Sequence, residues 1–228
     1  MVQEVREVPG VPGVLVLAAT ALESKLLQSA GAKVVVTGVG SVNTAHALTQ
    51  HLAKNGTPSL VVQTGVAGAY VPAEVAVGSV LLADTEIYGD LGVLTPHGWQ
   101  PMEEIGIPLL EASLSHPARF NYFPLDARLV ERAEAAAGSL VERTGKFVTV
   151  SQVTGVRAVG DLLYKRFGAL CESMEGAAAA HVCAMHGVPF LEVRGISNLV
   201  EDRDRSKWRL LEAANAAQTA VMKILANL

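Results

Sequence analysis

Three placements of charged or polar residues in this 228-residue sequence have the chemistry of a binding or catalytic site. Glu175 precedes the Ala-rich run 176–186, which Gly187 and Pro189 would terminate, so this run predicts a compact helix with Glu175 at its N-terminus. The free N–H groups and macrodipole there attract negative charge. A carboxylate has two acceptor oxygens and can take both hydroxyl protons of a cis-diol; equally, Glu175 could do no more than cap the helix. Residues 190–198 read as a strand in which Glu192 and Arg194 interrupt an apolar run, and such charges are seldom buried without a partner or a purpose. The strand ends in Ser197 and Asn198, at the carboxyl edge where open α/β sheets bind ligands. Thr64-Gly65-Val66-Ala67-Gly68 follows a second buried strand, 60–63. Its glycines would let a ligand approach the backbone, or simply make a tight turn.

Other motifs point nowhere so definite. Gly38-Val39-Gly40-Ser41-Val42-Asn43 follows a strand and opens a helix, but Asn43 occupies the third glycine position and no acid follows about 20 residues on, so no dinucleotide site is expected. His181, Cys183 and His186 lie at an awkward helical phase for a metal; they are expected to be core histidines and a core thiol. Nothing selects His97 or His116. Cys171 and Cys183 are expected to be reduced thiols.

The elements that must position these residues follow from composition and pattern. Half of the sequence is hydrophobic and only 5% is aromatic, so the core is built from Ala, Val and Leu, which suits a sheet covered by helices on both faces. Strands are expected at 14–19, 33–37, 60–63, 78–85, 146–150 and 190–198, and helices from Glu23, at 43–54, 126–137, 176–186 and 208–225. Alternating strands and helices predict an α/β fold with a mainly parallel sheet. Residues 86–124 read as a long, irregular excursion. No linker divides the chain, so one domain over 1–228 is expected, with 1–12 a loose N-terminal segment. A net charge of −4 with no basic stripe excludes a nucleic-acid backbone as partner. Residues 1–13 do not form a signal peptide and 14–19 are too few to span a bilayer, so the cytoplasm is the expected location.

Taken in order and spacing, Ala18-Ala19-Thr20-Ala21-Leu22-Glu23, Thr37-Gly38-Val39-Gly40-Ser41-Val42-Asn43, Thr64-Gly65-Val66-Ala67-Gly68, Ser173-Met174-Glu175-Gly176 and Arg194-Gly195-Ile196-Ser197-Asn198 resemble the nucleoside phosphorylase and hydrolase superfamily over nearly the whole chain. The hydrolase branch is nearest, and within it the futalosine hydrolases resemble the sequence more than the methylthioadenosine/S-adenosylhomocysteine nucleosidases do. The resemblance implies a nucleoside phosphorylase-like fold with a central mixed, mainly parallel twisted sheet flanked by helices. It also implies N-glycosidic hydrolysis without cofactor or metal. Glu23, which alone would read as a first-turn helix acid, matches the acid that orients and deprotonates the attacking water, with Arg194 and Ser197 holding that water. Met174 and Glu175 match the ribose clamp. Thr64, Gly65, Val66 and Ser173 are implied around the substrate, and Val156 beside the base. Gly155 falls where relatives often carry a stacking aromatic.

The same resemblance separates water from phosphate and one base from another. Phosphate-using relatives carry an Arg and a Ser where this sequence has Gln63 and Val66, a poor anion site. Relatives that cleave 6-aminopurines carry Asp where this sequence has Asn198, whose NH₂ suits a 6-keto oxygen and whose carbonyl suits N7–H. Asn198 has no acidic proton for N7, and the sequence names no other donor. The implied substrate is futalosine, an inosine-like nucleoside with a distal carboxylate that Arg119, Arg203 or Arg205 would meet. Another inosine-like or methylthioadenosine-like nucleoside, phosphorolysis, and a non-catalytic nucleoside-binding protein are the alternatives. A homo-oligomer, dimer or larger, is implied, with residues 99–108 of a neighbouring subunit completing the pocket.

Overall fold

In the computed structural model, which describes residues 13–114 and 116–228, the apolar runs form strands and the amphipathic runs cover them. The expected loose segment at 1–12 lies outside the described residues. The elements are β1 (Val14–Ala18), α1 (Lys25–Ser29), β2 (Val34–Val36), α2 (Ser41–Asn55), β3 (Leu60–Tyr70), β4 (Val80–Tyr88), β5 (Gly92–Thr95), β6 (Gly98–Pro101), α3 (Met102–Ile105), β7 (Tyr122–Pro124), α4 (Ala127–Ala137), β8 (Arg143–Thr149), α5 (Arg157–Phe167), β9 (Cys171–Ser173), α6 (Gly176–His186), β10 (Phe190–Val200) and α7 (Leu210–Asn227). Local chemistry fixes several ends. The Asp126 side chain accepts from Leu129 N at 2.9 Å to open α4, and Gly187 closes α6 with a left-handed φ of 64°.

The main sheet runs β10-β4-β8-β9-β3-β1-β2, with β7 on β4, and a further pairing of β10 with β3 closes five of its strands into a ring. It is mixed. β1–β2, β1–β3, β3–β10, β4–β8 and β8–β9 are parallel, whereas β4–β10, β3–β9 and β4–β7 are antiparallel. Ala67, Tyr70, Leu81, Ile87, Phe147, Cys171 and Ile196 belong to one buried cluster. Period-two alternation serves the two outer layers. Val16, Val62, Leu191 and Val193 pack with Val221 and Ile224 of α7, while Leu15, Leu17 and Phe190 pack with Leu48 of α2 and Val182 and Cys183 of α6.

Two expectations about segments are corrected. Thr64-Gly65-Val66-Ala67-Gly68 is no turn; it lies within the 11-residue β3, held by β10 along its length and by β9 at Gly68 and Ala69. The excursion at 86–124 is shorter and more ordered than its composition suggests. β4 continues to Tyr88, β5 and β6 form a hairpin, and β7 returns to β4. Among the described residues no helix is long and apolar enough to cross a membrane.

Helix α7 seats on β10 where Gly195 offers no side chain. A Cβ there would collide with the backbone carbonyl of Ala213. Gly195→Ala is therefore expected to lower stability by about 1–3 kcal/mol through overpacking, read as a lower urea midpoint. An unchanged midpoint would show that α7 can shift at no cost.

Candidate active site

The carboxyl ends of β1, β3 and β10 meet in a cavity of about 280 Å³ whose wall includes Glu23, Val66, Ser173, Met174, Glu175, Ser197 and Asn198. Of the residues predicted around the ribose, the water and the base, four are absent from that wall. Thr64 is buried in β3, Val156 is an exposed residue at the start of α5, and Gly65 and Arg194 lie behind the carboxylates. Val153 and Thr154, on the loop before Val156, take the place expected for Val156. A larger cleft, of about 910 Å³, lies at the opposite strand ends, against Val14, Leu60 and Phe190. Of the arginines expected at the substrate tail, Arg119 faces it, and ligands of such sheets bind at the carboxyl ends.

Glu175 occupies the N-cap position of α6, yet its side chain makes no capping bond. Its Oε1 accepts from Gly40 N at 2.9 Å and its Oε2 from Arg194 Nη2 at 3.1 Å, so the carboxylate is turned away from its own helix and fixed at the cavity edge. Gly40 comes from the turn that resembled a dinucleotide loop; here its N–H serves a protein carboxylate. Glu23 precedes α1 and is not part of its first turn. Oε2 accepts from Thr20 Oγ1 at 2.7 Å and Oε1 from Val66 N at 2.9 Å. Gly65 is a glycine for a plain steric reason. A Cβ on it would fall 2.6 Å from both Glu23 Oε1 and Arg194 Nη1.

Arg194 is expected from sequence to hold water; the structure places its guanidinium among protein acceptors. Nε donates to Glu192 Oε1 at 2.7 Å, Nη1 to Val66 O at 3.2 Å and Nη2 to Glu175. Burial alone would lower its pKa; the charges of Glu192, Glu175 and Glu23 outweigh that and hold it above the usual arginine value. Ser197 likewise serves a neighbour. Its Oγ lies 2.8 Å from Asn198 Oδ1 and 3.2 Å from Ala67 O, so its proton orients the Asn198 amide. A bulge in β10 between Ile196 and Asn198 breaks the alternation and lets Ser197 and Asn198, adjacent in sequence, share the cavity wall.

Behind Arg194 lies a buried acid pair that the sequence reading missed in half. Glu86 Oε2 accepts from Thr149 Oγ1 at 2.8 Å, while Glu86 Oε1 and Glu192 Oε2 have no other partner. A Cβ on Gly176 would lie 2.5 Å from Glu86 Oε1 and closer still to Glu192 Oε2. Burial first, and the Glu192 charge second, push the Glu86 carboxyl far above the usual carboxylate range. That shift favours the neutral form of Glu86, which lets the two acids face one another. Glu172 was also missed, and it lines the cavity itself. Burial raises its pKa, opposed by hydrogen bonds from Thr154 and Tyr70.

The remaining candidates separate cleanly. Arg203 lines the cavity and lies with its guanidinium 4.7 Å from the Trp208 ring centre. Arg205 reaches Trp208 at 5.9 Å but not the cavity, and Arg119 lies over Phe123. Gly155 faces Arg203 Cβ. Trp99 packs edge-on against Phe167 of its own chain. His181 is half-buried against Phe123, but His186 is exposed at the end of α6, which corrects its assignment to the core. Both cysteines are free and buried, and burial pushes the Cys183 thiol up to about 12. Among the described residues no group of three or more His, Cys, Asp or Glu is placed to hold a metal ion.

Residues 18–228 match the Phosphorylase superfamily. A futalosine hydrolase of Streptomyces coelicolor is 40% identical over 166 residues, which are 72% of this chain and 64% of that protein. A futalosine hydrolase of Thermus thermophilus is 36% identical over 88% of this chain and 84% of its own length. In fold the chain is similar to the 5′-methylthioadenosine/S-adenosylhomocysteine nucleosidase of Neisseria meningitidis, solved with methylthio-immucillin-A. That likeness has a TM-score of 0.78 at 22% identity and covers 94% of this chain and 99% of the other. The chain belongs to the phosphorylase superfamily, in its nucleosidase group alongside the futalosine hydrolases.

Proposed function

We propose that the chain hydrolyses the N-glycosidic bond of futalosine, releasing hypoxanthine and dehypoxanthine futalosine in a step of menaquinone biosynthesis. One observation carries this reading beyond kinship. Two carboxylates fixed by different elements, Glu23 and Glu175, face a single cavity that also presents Asn198. Glu175 accepts hydrogen bonds from the ribose hydroxyls. Glu23, opposite Gly65, takes the proton of the attacking water. The transition state is oxocarbenium-like, and the carboxylates stabilise its positive charge. Arg194 and Ser197 act through Glu175 and Asn198, as positioning residues. Water is favoured over phosphate because Glu23, Glu172 and Glu175 all line the cavity, and a phosphate dianion would meet three acids.

Asn198 Nδ2 donates to Leu199 O at 3.0 Å and Oδ1 accepts from Ser197, which leaves one N–H and one lone pair for a base edge. That complement fits O6 and N7–H of hypoxanthine. Arg203 is the cation among the described wall residues and takes the carboxylate tail. The reading includes a cytoplasmic homo-oligomer, dimer or larger, in which residues 99–108 of a neighbouring subunit complete the pocket.

Incubating the protein with futalosine, inosine and methylthioadenosine, with and without phosphate, and measuring free base tests it. Hypoxanthine from futalosine without phosphate is expected; a strict phosphate requirement, or adenine alone, overturns it. Asn198→Asp is expected to shift preference toward 6-aminopurines by about 1–3 kcal/mol, as a bidentate base contact is worth, and unchanged selectivity in kcat/KM would remove Asn198 from base recognition.

A further inference from the structure

Asn198, Gly68 and Glu172 stand abreast on three neighbouring strands. Asn198 pairs with Gly68 between β10 and β3, and Gly68 pairs with Glu172 between β3 and β9. Residues opposite one another in a ladder share a face, and all three line the cavity. Gly68 has no side chain, so the two polar side chains flank bare backbone. Two strand spacings of about 4.8 Å set the flanking Cα atoms roughly 10 Å apart, and the Asn198 amide leans over the gap, its Nδ2 3.2 Å from where a Gly68 Cβ would stand.

The Glu172 carboxyl is held from behind. Oε1 accepts from Thr154 N at 2.7 Å; Oε2 accepts from Thr154 Oγ1 at 2.7 Å and from Tyr70 OH at 3.2 Å. A carboxylate offers about four acceptor sites, so these donors leave one. No Lys, Arg or His forms an ion pair with Glu172 among the described residues. What the cavity receives is an oriented acceptor that lacks a protein cation, and its complement is an N–H donor on the ligand. A 6-oxopurine has such a donor at N1, where a 6-aminopurine has a lone pair.

We propose that Glu172 is a specificity-determining residue that accepts N1–H of a 6-oxopurine, while Asn198 takes the O6 and N7 edge. The inference rests on the reading of this site as a purine nucleosidase. It gives the site a second reader of the 6-oxo form, from a different strand.

Binding of the free bases to the full chain tests it apart from turnover. By calorimetry, the wild-type protein is expected to bind hypoxanthine on the order of ten- to a hundredfold more tightly than 1-methylhypoxanthine, as a hydrogen bond to a charged group is worth. In Glu172→Leu, which keeps no acceptor, that ratio is expected to fall close to one, and the preference for hypoxanthine over adenine to fall at least tenfold, because nothing at that position accepts N1–H. Equal binding of the two hypoxanthines by the wild type needs no variant to overturn the proposal. An unchanged ratio in Glu172→Leu also overturns it, as does equal weakening of every base, the mark of a residue that only supports Thr154. Loss of futalosine hydrolysis with base discrimination intact would instead overturn the functional reading and leave the base reader standing.

Discussion

Glu23→Gln is expected to lower kcat by about 10²–10⁴-fold, the range general-base catalysis contributes, with KM little changed. The substitution keeps the shape of the side chain. Its amide oxygen can still accept from Val66 N, and its NH₂ can turn to Thr20 Oγ1, so both native contacts have a partner. What disappears is the ability to take a proton. The urea midpoint should therefore stay near that of the wild type while turnover collapses. Steady-state kinetics with futalosine beside a denaturation curve separate the two effects. Near-normal turnover would place Glu23 outside the chemistry, and a lowered midpoint with proportionate activity loss would make it a structural residue of the loop before α1.

Arg194→Met is expected to have the largest effect on stability. The guanidinium is buried and donates to two carboxylates, Glu192 and Glu175, that have little other compensation. Removing one partner of such a network leaves uncompensated buried charge and costs about 3–5 kcal/mol. Arg194→Lys should not rescue it, since a single ammonium cannot copy a planar fork aimed at Glu192, Val66 O and Glu175 at once. If the single variant does not fold, Glu192→Leu with Arg194→Met removes charge from both sides and should recover part of the stability. It should not recover activity, because Glu175 has still lost its anchor. Full activity in the double variant would mean that Gly40 N alone positions Glu175.

The ends of α6 were legible because Gly187 and Pro189 mark them locally, and the helix runs Gly176–His186 as its sequence requires. Glu175 was legible as a residue at a helix start, but not as one that ignores the helix; Gly40 and Arg194, which draw it away, are far off in sequence. Thr64–Gly68 looked like a turn because glycine interrupts the apolar run. The partners that keep it extended, β10 and β9, come more than 100 residues later. Glu86 passed unnoticed because it follows Asp84 and Thr85 and so reads as the polar start of the excursion, and Glu172 because Ser173 follows it at once. In β9 the run is only three residues long, too short to show a period. Val156 was displaced from the wall because sequence order alone cannot tell which residue of a loop turns inward, and here Val153 and Thr154 do.

The ring of strands also sets the order in which this molecule can come into being. Its closing seam joins β3 to β10, and the pairings range from Phe190 with Val61 to Val200 with Tyr70. Non-local pairing of this kind is slow to form, because the entropy of closing a long loop must be met before any contact offsets it. Glu23 follows β1, and Arg194 and Asn198 arrive with β10. Glu23 and Asn198 lie 175 residues apart, and the cavity has no walls until both segments have left the ribosome. Until then the β3 edge stands open, and it is during that interval, rather than in the finished fold, that the chain is most exposed to pairing with the wrong strand.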